Sequence, residues 1–319
     1  MSIQAPSAVL MVRPAAFSPN PMTAADNAFQ DNAFQSIAAL TGIAALAHAE
    51  VTRAAAALEE AGVTVHLFDD SDAGRPDCVF PNNWISTHHG GRIALFPMYA
   101  ANRRTERRAD VVEMLKSRYR VQEVIDYSGL EHDALFLEGT GAMVLDHEAR
   151  VAYTARSRRA DPLLLERFCT AFGYEPMAFD AVDLHGVPVY HTNVMLCVAG
   201  AFALIAAEMI PDRTRREEVV DRLRARGRRS VLELTGEQIR SFAGNAMELE
   251  TSGGEALLAL STRARNALSP DQRSVVERTH RIVALDIPTI ELGGGSVRCM
   301  LAGIHLEPRT TARVPATVR

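Results

Sequence analysis

The chain has no excess of positive charge. Its 319 residues carry 34 basic and 39 acidic side chains, a net charge of −5, so no long-range field gathers nucleic acid and neither DNA nor RNA is an expected partner. No run approaches the roughly 18 uninterrupted apolar residues that cross a bilayer, and Met1 to Met22 has no basic stretch leading into an apolar one. The expectation is a cytoplasmic protein with no membrane partner. Cysteine is scarce: Cys78, Cys169, Cys197 and Cys299 lie far apart, form no CxxC pair and are too few for a disulfide scaffold. No metal site is expected. There is no Walker A sequence, and Gly293-Gly294-Gly295 fails GxGxxG because the third glycine would fall at Arg298.

What is present is a globular composition, 47% hydrophobic, arranged as a weak internal repeat. Residues 134–183 read as an apolar strand (ALFLEGTGAMVLD), a turn at His147-Glu148, a second strand (RVAYTA), a helix from Asp161-Pro162 (PLLLERFCTAFG) and an extended stretch (YEPMAFDAVD). The same strand, strand, helix, strand order fits residues 77–127, from DCVFPNNWISTHH through RIALFPMY and a helix carrying Val111, Val112, Met114 and Leu115 to YRVQEVIDY. A third copy runs from PVYHTNVMLCV through a helix near Asp212 to Arg226 and reaches RSVLEL. A fourth runs from IRSFAGNAMELE through EALLALS and a helix over 270–280 to HRIVALD. The fifth is split, with VLMVRP, an Ala-rich helix around 36–61 and VTVHLFDD near one end and a strand pair, TIEL and RCMLAGIHL, near the other. A single α/β domain over 1–319 is expected.

Each copy places a polar or reactive residue at its first strand. Asn82, Glu138, His191, Asn245 and Cys299 recur at steps of 56, 53, 54 and 54 residues. Five units closing around a pseudo-fivefold axis would bring these side chains into one pocket, and Asn, Glu, His, Asn and Cys together make a catalytic inventory. In combination, DCVFPNNW, FLEGTGAMVLD, YHTNVMLCV, GNAMEL and GGGSVRCMLAGIHL make the chain resemble the pentein, or guanidine-modifying, superfamily. Within it the chain most resembles bacterial citrulline-utilisation hydrolases of the amidinotransferase-like type. The resemblance covers the whole chain and implies a five-bladed α/β propeller of ββαβ repeats that works without metal or organic cofactor.

The resemblance also implies roles. Cys299 would be the nucleophile that attacks the central carbon of a guanidino or ureido group. Gly293 to Gly295, with Gly294 central, would let the backbone approach the substrate. Read alone, a cysteine on a strand is usually a small buried hydrophobe and a glycine triplet a turn; the repeat phase and the resemblance set these apart. His191 would protonate the departing amine and then activate water, and Glu138 would orient His191 or accept from substrate nitrogen. Among the other histidines, His88 and His89 precede a Gly-Gly turn and are expected to be exposed, and His305 to be a hydrogen-bonded structural group. The run RTRREEVVDRLRARGRR, 213–229, reads as a solvated helix with mixed-sign pairs.

Charge narrows the substrate. Arginine deiminases place a carboxylate in the unit matching Asn82-Asn83 and another two residues after the histidine, where this chain has Asn193. Amides offer a donor and an acceptor, as a ureido group does, and supply less charge to offset a buried cation. The leaning is toward citrulline, cleaved to ornithine, ammonia and carbon dioxide, with Asn82, Asn83, Asn193 and Asn245 as substrate-binding residues and Arg104 and Arg159 holding the substrate carboxylate. The alternatives are arginine deiminase or dimethylarginine dimethylaminohydrolase activity, an amidinotransferase, in which an amine replaces water, and a non-catalytic pentein binding module, disfavoured because Glu138, His191 and Cys299 are all retained. A small-molecule amino acid is the expected partner, and the long helices are compatible with a homodimer.

Overall fold

The structure, a computed structural model, describes residues 4–309 other than 19, 25, 26, 28, 31–41 and 73. Local sequence accounts for its elements. The helix Pro162–Phe172 begins where Asp161 accepts from the Leu163 and Leu164 N–H groups and Pro162 presets the first turn. It ends at Gly173, whose φ of +70° continues no helix. Between these stops Leu164, Leu165, Phe168 and Phe172 form the buried stripe. The helix Pro270–Glu277 starts with a reciprocal capping box between Ser269 and Gln272.

These elements build five three-stranded sheets, each with an antiparallel first pair and a parallel second pair. Ile85–His88, Arg92–Leu95 and Glu123–Asp126 form one; Met143–Asp146, Val151–Ala155 and Glu175–Phe179 form the next. Leu196–Val198, Phe202–Ile205 and Ser230–Glu233 follow, then Met247–Glu250, Ala256–Ser261 and Arg281–Leu285. In the last sheet Ala8–Arg13 is central, parallel to Thr64–Asp69 and antiparallel to Ala302–Gly303. The split unit is therefore real: strand pairing ties the two ends of the chain together. A helix lies in the crossover between the two parallel strands of each sheet. No helix among the described residues is long and apolar enough to cross a membrane.

The boundaries depart from the sequence reading in informative places. The expected strand pair TIEL and RCMLAGIHL is instead two single helical turns, Pro288–Glu291 and Val297–Met300, followed by the short strand Ala302–Gly303. The first turn is held by the buried Glu50 carboxylate, which accepts from the Thr289 and Ile290 N–H groups, a partner 239 residues away in sequence. Cys299 thus lies on a turn before the strand rather than on it, as do the residues in equivalent places of the other units. The Ala-rich helix is observed as Ile43–Glu60, and its expected start at 36–41 lies outside the described residues.

His88 is buried, not exposed: its Nε2 meets Ser86 Oγ at 2.7 Å and its ring packs 4.4 Å from Phe172. His89 is exposed. The 213–229 run carries the expected surface pairs, Arg213 with Glu217 and Arg215 with Glu218, but Arg229 turns inward to a buried pair with Asp146 at 2.6 Å. Phe168, with no exposed surface, stacks on Phe172 at 4.7 Å and contacts Phe96 at 5.7 Å. Phe168→Ala is expected to lower unfolding free energy by about 3–5 kcal/mol, read from urea denaturation.

Candidate active site

Residues ahead of the first strands come together. Asn82 and Asn83 sit on a 3₁₀ turn, Pro81–Asn83; Glu138 precedes the turn Gly139–Ala142; His191 precedes Thr192–Val194, which holds Asn193. Asn82, Asn83, Glu138, His191, Asn193, Asn245 and Cys299 are each 3% exposed or less. Burying that many polar groups is costly unless they satisfy one another or a ligand.

Around the sulfur, Asn193 Nδ2 and Asn245 Nδ2 each donate to Cys299 Sγ at 3.3 Å. The Asn245 amide also donates to Asn193 O at 3.0 Å and accepts from the Arg298 N–H at 3.0 Å, so it fixes the turn that carries the cysteine. Across the pocket, His191 Nε2 lies 2.8 Å from Glu138 Oε2. The other Glu138 oxygen accepts from the Tyr99 N–H at 3.0 Å, and Arg159 and Arg103 stand 3.5 and 3.9 Å from Oε2. Burial alone would raise the Glu138 pKa, but Arg159, the His191 hydrogen bond and Arg103 outweigh it and bring it to about 2. Burial lowers the His191 pKa, only partly opposed by Glu138. The pair is thus a carboxylate facing a neutral imidazole. A carboxylate only accepts, so Nε2 carries the proton and Nδ1 keeps its lone pair.

The pocket between these groups is lined by Asn83, Arg103, Arg159, Tyr190, His191 and Cys299, among others. Arg159 lies 4.9 Å over the Tyr190 ring, and the Tyr190 hydroxyl donates to Gly294 O at 2.7 Å. Gly293 and Gly295 line the pocket, whereas Gly294 shapes it from behind. Its φ is +82°, and a Cβ there would lie 2.6 Å from the Asn27 amide. Arg104 does not reach the pocket: it donates to Met98 O at 3.1 Å and approaches Glu131 at 3.5 Å. Its neighbour Arg103 is there instead, bonded to Asn83 Oδ1 at 2.9 Å and to the Glu106 carboxylate through two nitrogens. Sequence reasoning favours Arg104 of the Arg103-Arg104 pair, whereas the structure turns Arg103 inward; which of two adjacent residues faces the pocket depends on a 3₁₀ turn, Ala101–Glu106. It also passed over Asp77 and Tyr190, both of which line the pocket and are the first residues of the motifs DCVFPNNW and YHTNVMLCV.

Two buried atoms here have no hydrogen-bond partner among the described residues: Asn82 Nδ2, a donor, and Asn193 Oδ1, an acceptor. A buried thiol held by two amides, beside an imidazole backed by a carboxylate, can act as a nucleophile served by an acid–base pair. Glu138→Gln preserves shape and removes the charge, and kcat/KM is expected to fall about 10²–10⁴-fold. The same variant tests the electrostatics. A carboxylate whose folded pKa sits near 2, below its ordinary 4.5, stabilises the fold above pH 4.5, and that contribution fades as pH falls toward 2. Glu138→Gln should lack this part of the acid destabilisation in urea titrations between pH 6 and 3.

The family profile described as N,N dimethylarginine dimethylhydrolase, eukaryotic, matches residues 13–306. No curated protein matches the chain by sequence. Among solved structures, the N-terminal domain of ArgZ, an arginine dihydrolase from the ornithine-ammonia cycle in cyanobacteria, superposes with a TM-score of 0.71 at 16% identity, over 94% of this chain and 98% of that one. Unliganded AgrE matches with a TM-score of 0.72 at 16% identity, over 95% of this chain and 40% of its own length. A dimethylarginine dimethylaminohydrolase variant, as an adduct with S-methyl-L-thiocitrulline, matches with a TM-score of 0.62 at 14% identity, over 93% and 99%. The chain belongs to the N,N dimethylarginine dimethylhydrolase family, within the pentein superfamily of arginine-modifying hydrolases.

Proposed function

We propose that this protein hydrolyses a C–N bond of a ureido or guanidino amino acid through Cys299, with citrulline, converted to ornithine, ammonia and carbon dioxide, as the favoured substrate. His191 Nδ1 takes the thiol proton as the Cys299 sulfur adds to the ureido carbon and passes it to the departing nitrogen as the C–N bond to one amine breaks, leaving a thiocarbamate on sulfur. Water, relieved of a proton by His191, then attacks that carbon, the thiol is restored, and the carbamic acid released splits into the remaining amine and carbon dioxide. Asn193 Oδ1, without a partner among the described residues, fits a substrate N–H, and the pocket arginines Arg103 and Arg159 fit the carboxylate end of an amino acid.

The observation that carries the neutral substrate is how the carboxylates are spent. Glu138 is engaged by His191, Arg159, Arg103 and the Tyr99 N–H, and Asp77 by Asn20 at 2.6 Å and Arg103 at 3.7 Å. The groups that touch the sulfur are amides. A cationic guanidinium would enter with little charge to offset its lost water; a ureido group loses less. The second reading, arginine or a methylated arginine, is favoured by the family match and by the likeness to ArgZ, an arginine dihydrolase.

Purified protein should release ornithine from citrulline, with Cys299→Ala inactive and turnover of arginine and dimethylarginine at least tenfold slower, by mass spectrometry of the products. Citrulline accumulating from arginine or dimethylarginine would overturn the neutral-substrate reading; ornithine from arginine at an equal rate would favour dihydrolysis.

A further inference from the structure

Behind the catalytic turn lies a second polar cavity, separate from the one that holds Cys299. It measures about 40 Å³, room for two or three water-sized particles, and is lined by Gln4, His147, Cys197, Glu248, Arg298 and His305 with apolar residues of the first strands. Gln4 spans it, donating from Nε2 to Leu145 O at 3.1 Å and Val198 O at 3.0 Å, while its Oε1 accepts from the His147 N–H at 2.8 Å. The His147 and His305 rings stack 4.0 Å apart.

Arg298 is the anomaly. The three arginines with almost no exposed surface each have an acid, Arg103 with Glu106, Arg159 with Glu138 and Arg229 with Asp146, whereas Arg298 is half-buried and lines a polar cavity. Among the described residues Arg298 has no ion pair; its guanidinium donates only to Leu301 O, at 3.0 Å. The one carboxylate in the lining, Glu248, is spent elsewhere, with Oε1 at 2.7 Å from His280 Nε2 and Oε2 accepting from the Gly200 N–H at 3.0 Å. Burial lowers the Arg298 pKa, opposed by the Cys299 and Cys197 sulfurs and by no carboxylate. Neutral imidazole, thiol and carbonyl groups cannot balance a guanidinium; a small anion can.

We infer that this cavity binds a small monovalent anion, of chloride or bicarbonate size, on the Arg298 guanidinium. The site is distinct from the substrate pocket yet mechanically joined to it, because the Arg298 N–H donates to the Asn245 amide that contacts the Cys299 sulfur. Occupancy should therefore stiffen the turn that carries the nucleophile.

The test compares thermal unfolding in sodium gluconate, whose anion is too large for the cavity, with sodium chloride, bromide and bicarbonate at the same ionic strength. Saturable stabilisation is expected for the small anions, with a Tm rise of roughly 2 °C at several times the dissociation constant, lost in Arg298→Gln and retained in the surface control Arg213→Gln. Should Arg298→Gln fail to fold, crystals of the wild-type protein grown in bromide settle the matter: an anomalous peak within hydrogen-bond reach of the guanidinium is expected. A cavity without that peak, equal Tm in gluconate and chloride, or an undiminished shift in a folded Arg298→Gln protein would overturn the inference.

Discussion

The candidate site depends on keeping one buried carboxylate charged. Glu138 has no exposed surface, and a lone carboxylate there would take up a proton and release His191. What prevents this comes from three sequence regions: Arg159 beyond the second strand of its own sheet, Arg103 on the turn from the preceding unit, and His191 from the following one. Remove the cations and the acid would neutralise; remove the acid and two guanidiniums would lie buried without it. The carboxylate is therefore a structural tie between units as well as the partner that sets the tautomer of the imidazole.

The second constraint is steric. Units meet so closely that some positions exclude a side chain. A Cβ at Gly141 would lie 2.3 Å from Asn83 Nδ2 and 2.9 Å from His191 Nδ1, and one at Gly139, where φ is +46°, would lie 2.3 Å from Asn82 O. The Gly-Thr-Gly stretch is thus what lets the asparagine turn and the histidine sit against Glu138. Close approach and charge pairing act on the same few atoms, which explains why the turns of the candidate site precede the strands: a turn can present both backbone and side chain to its neighbours, and a strand inside a sheet presents only side chains.

Much of this was legible in the chain. The near-even spacing of Asn82, Glu138, His191, Asn245 and Cys299 reflects a real repeat, because each ββαβ unit needs a similar length to return to the site. The strand, strand, helix, strand order of the units followed from alternating apolar runs and, in one unit, from the helix start at Asp161-Pro162. What was not legible depended on contacts distant in sequence. Helical turns replaced the expected strand pair before Ala302 because Glu50 caps one of them. His88 was read as exposed from the glycines beside it, whereas Phe172 and Phe168 from another unit cover it. Arg104 was preferred to Arg103 because adjacent arginines carry no mark of which way a turn will face them.

The most direct test of the account is to quench the protein in acid during turnover of citrulline and map the modified peptide by mass spectrometry. A transient adduct confined to the peptide bearing Cys299, and absent from those bearing Cys78, Cys169 and Cys197, is the predicted result. Turnover with no adduct on any cysteine, or with one on a cysteine other than Cys299, would contradict it.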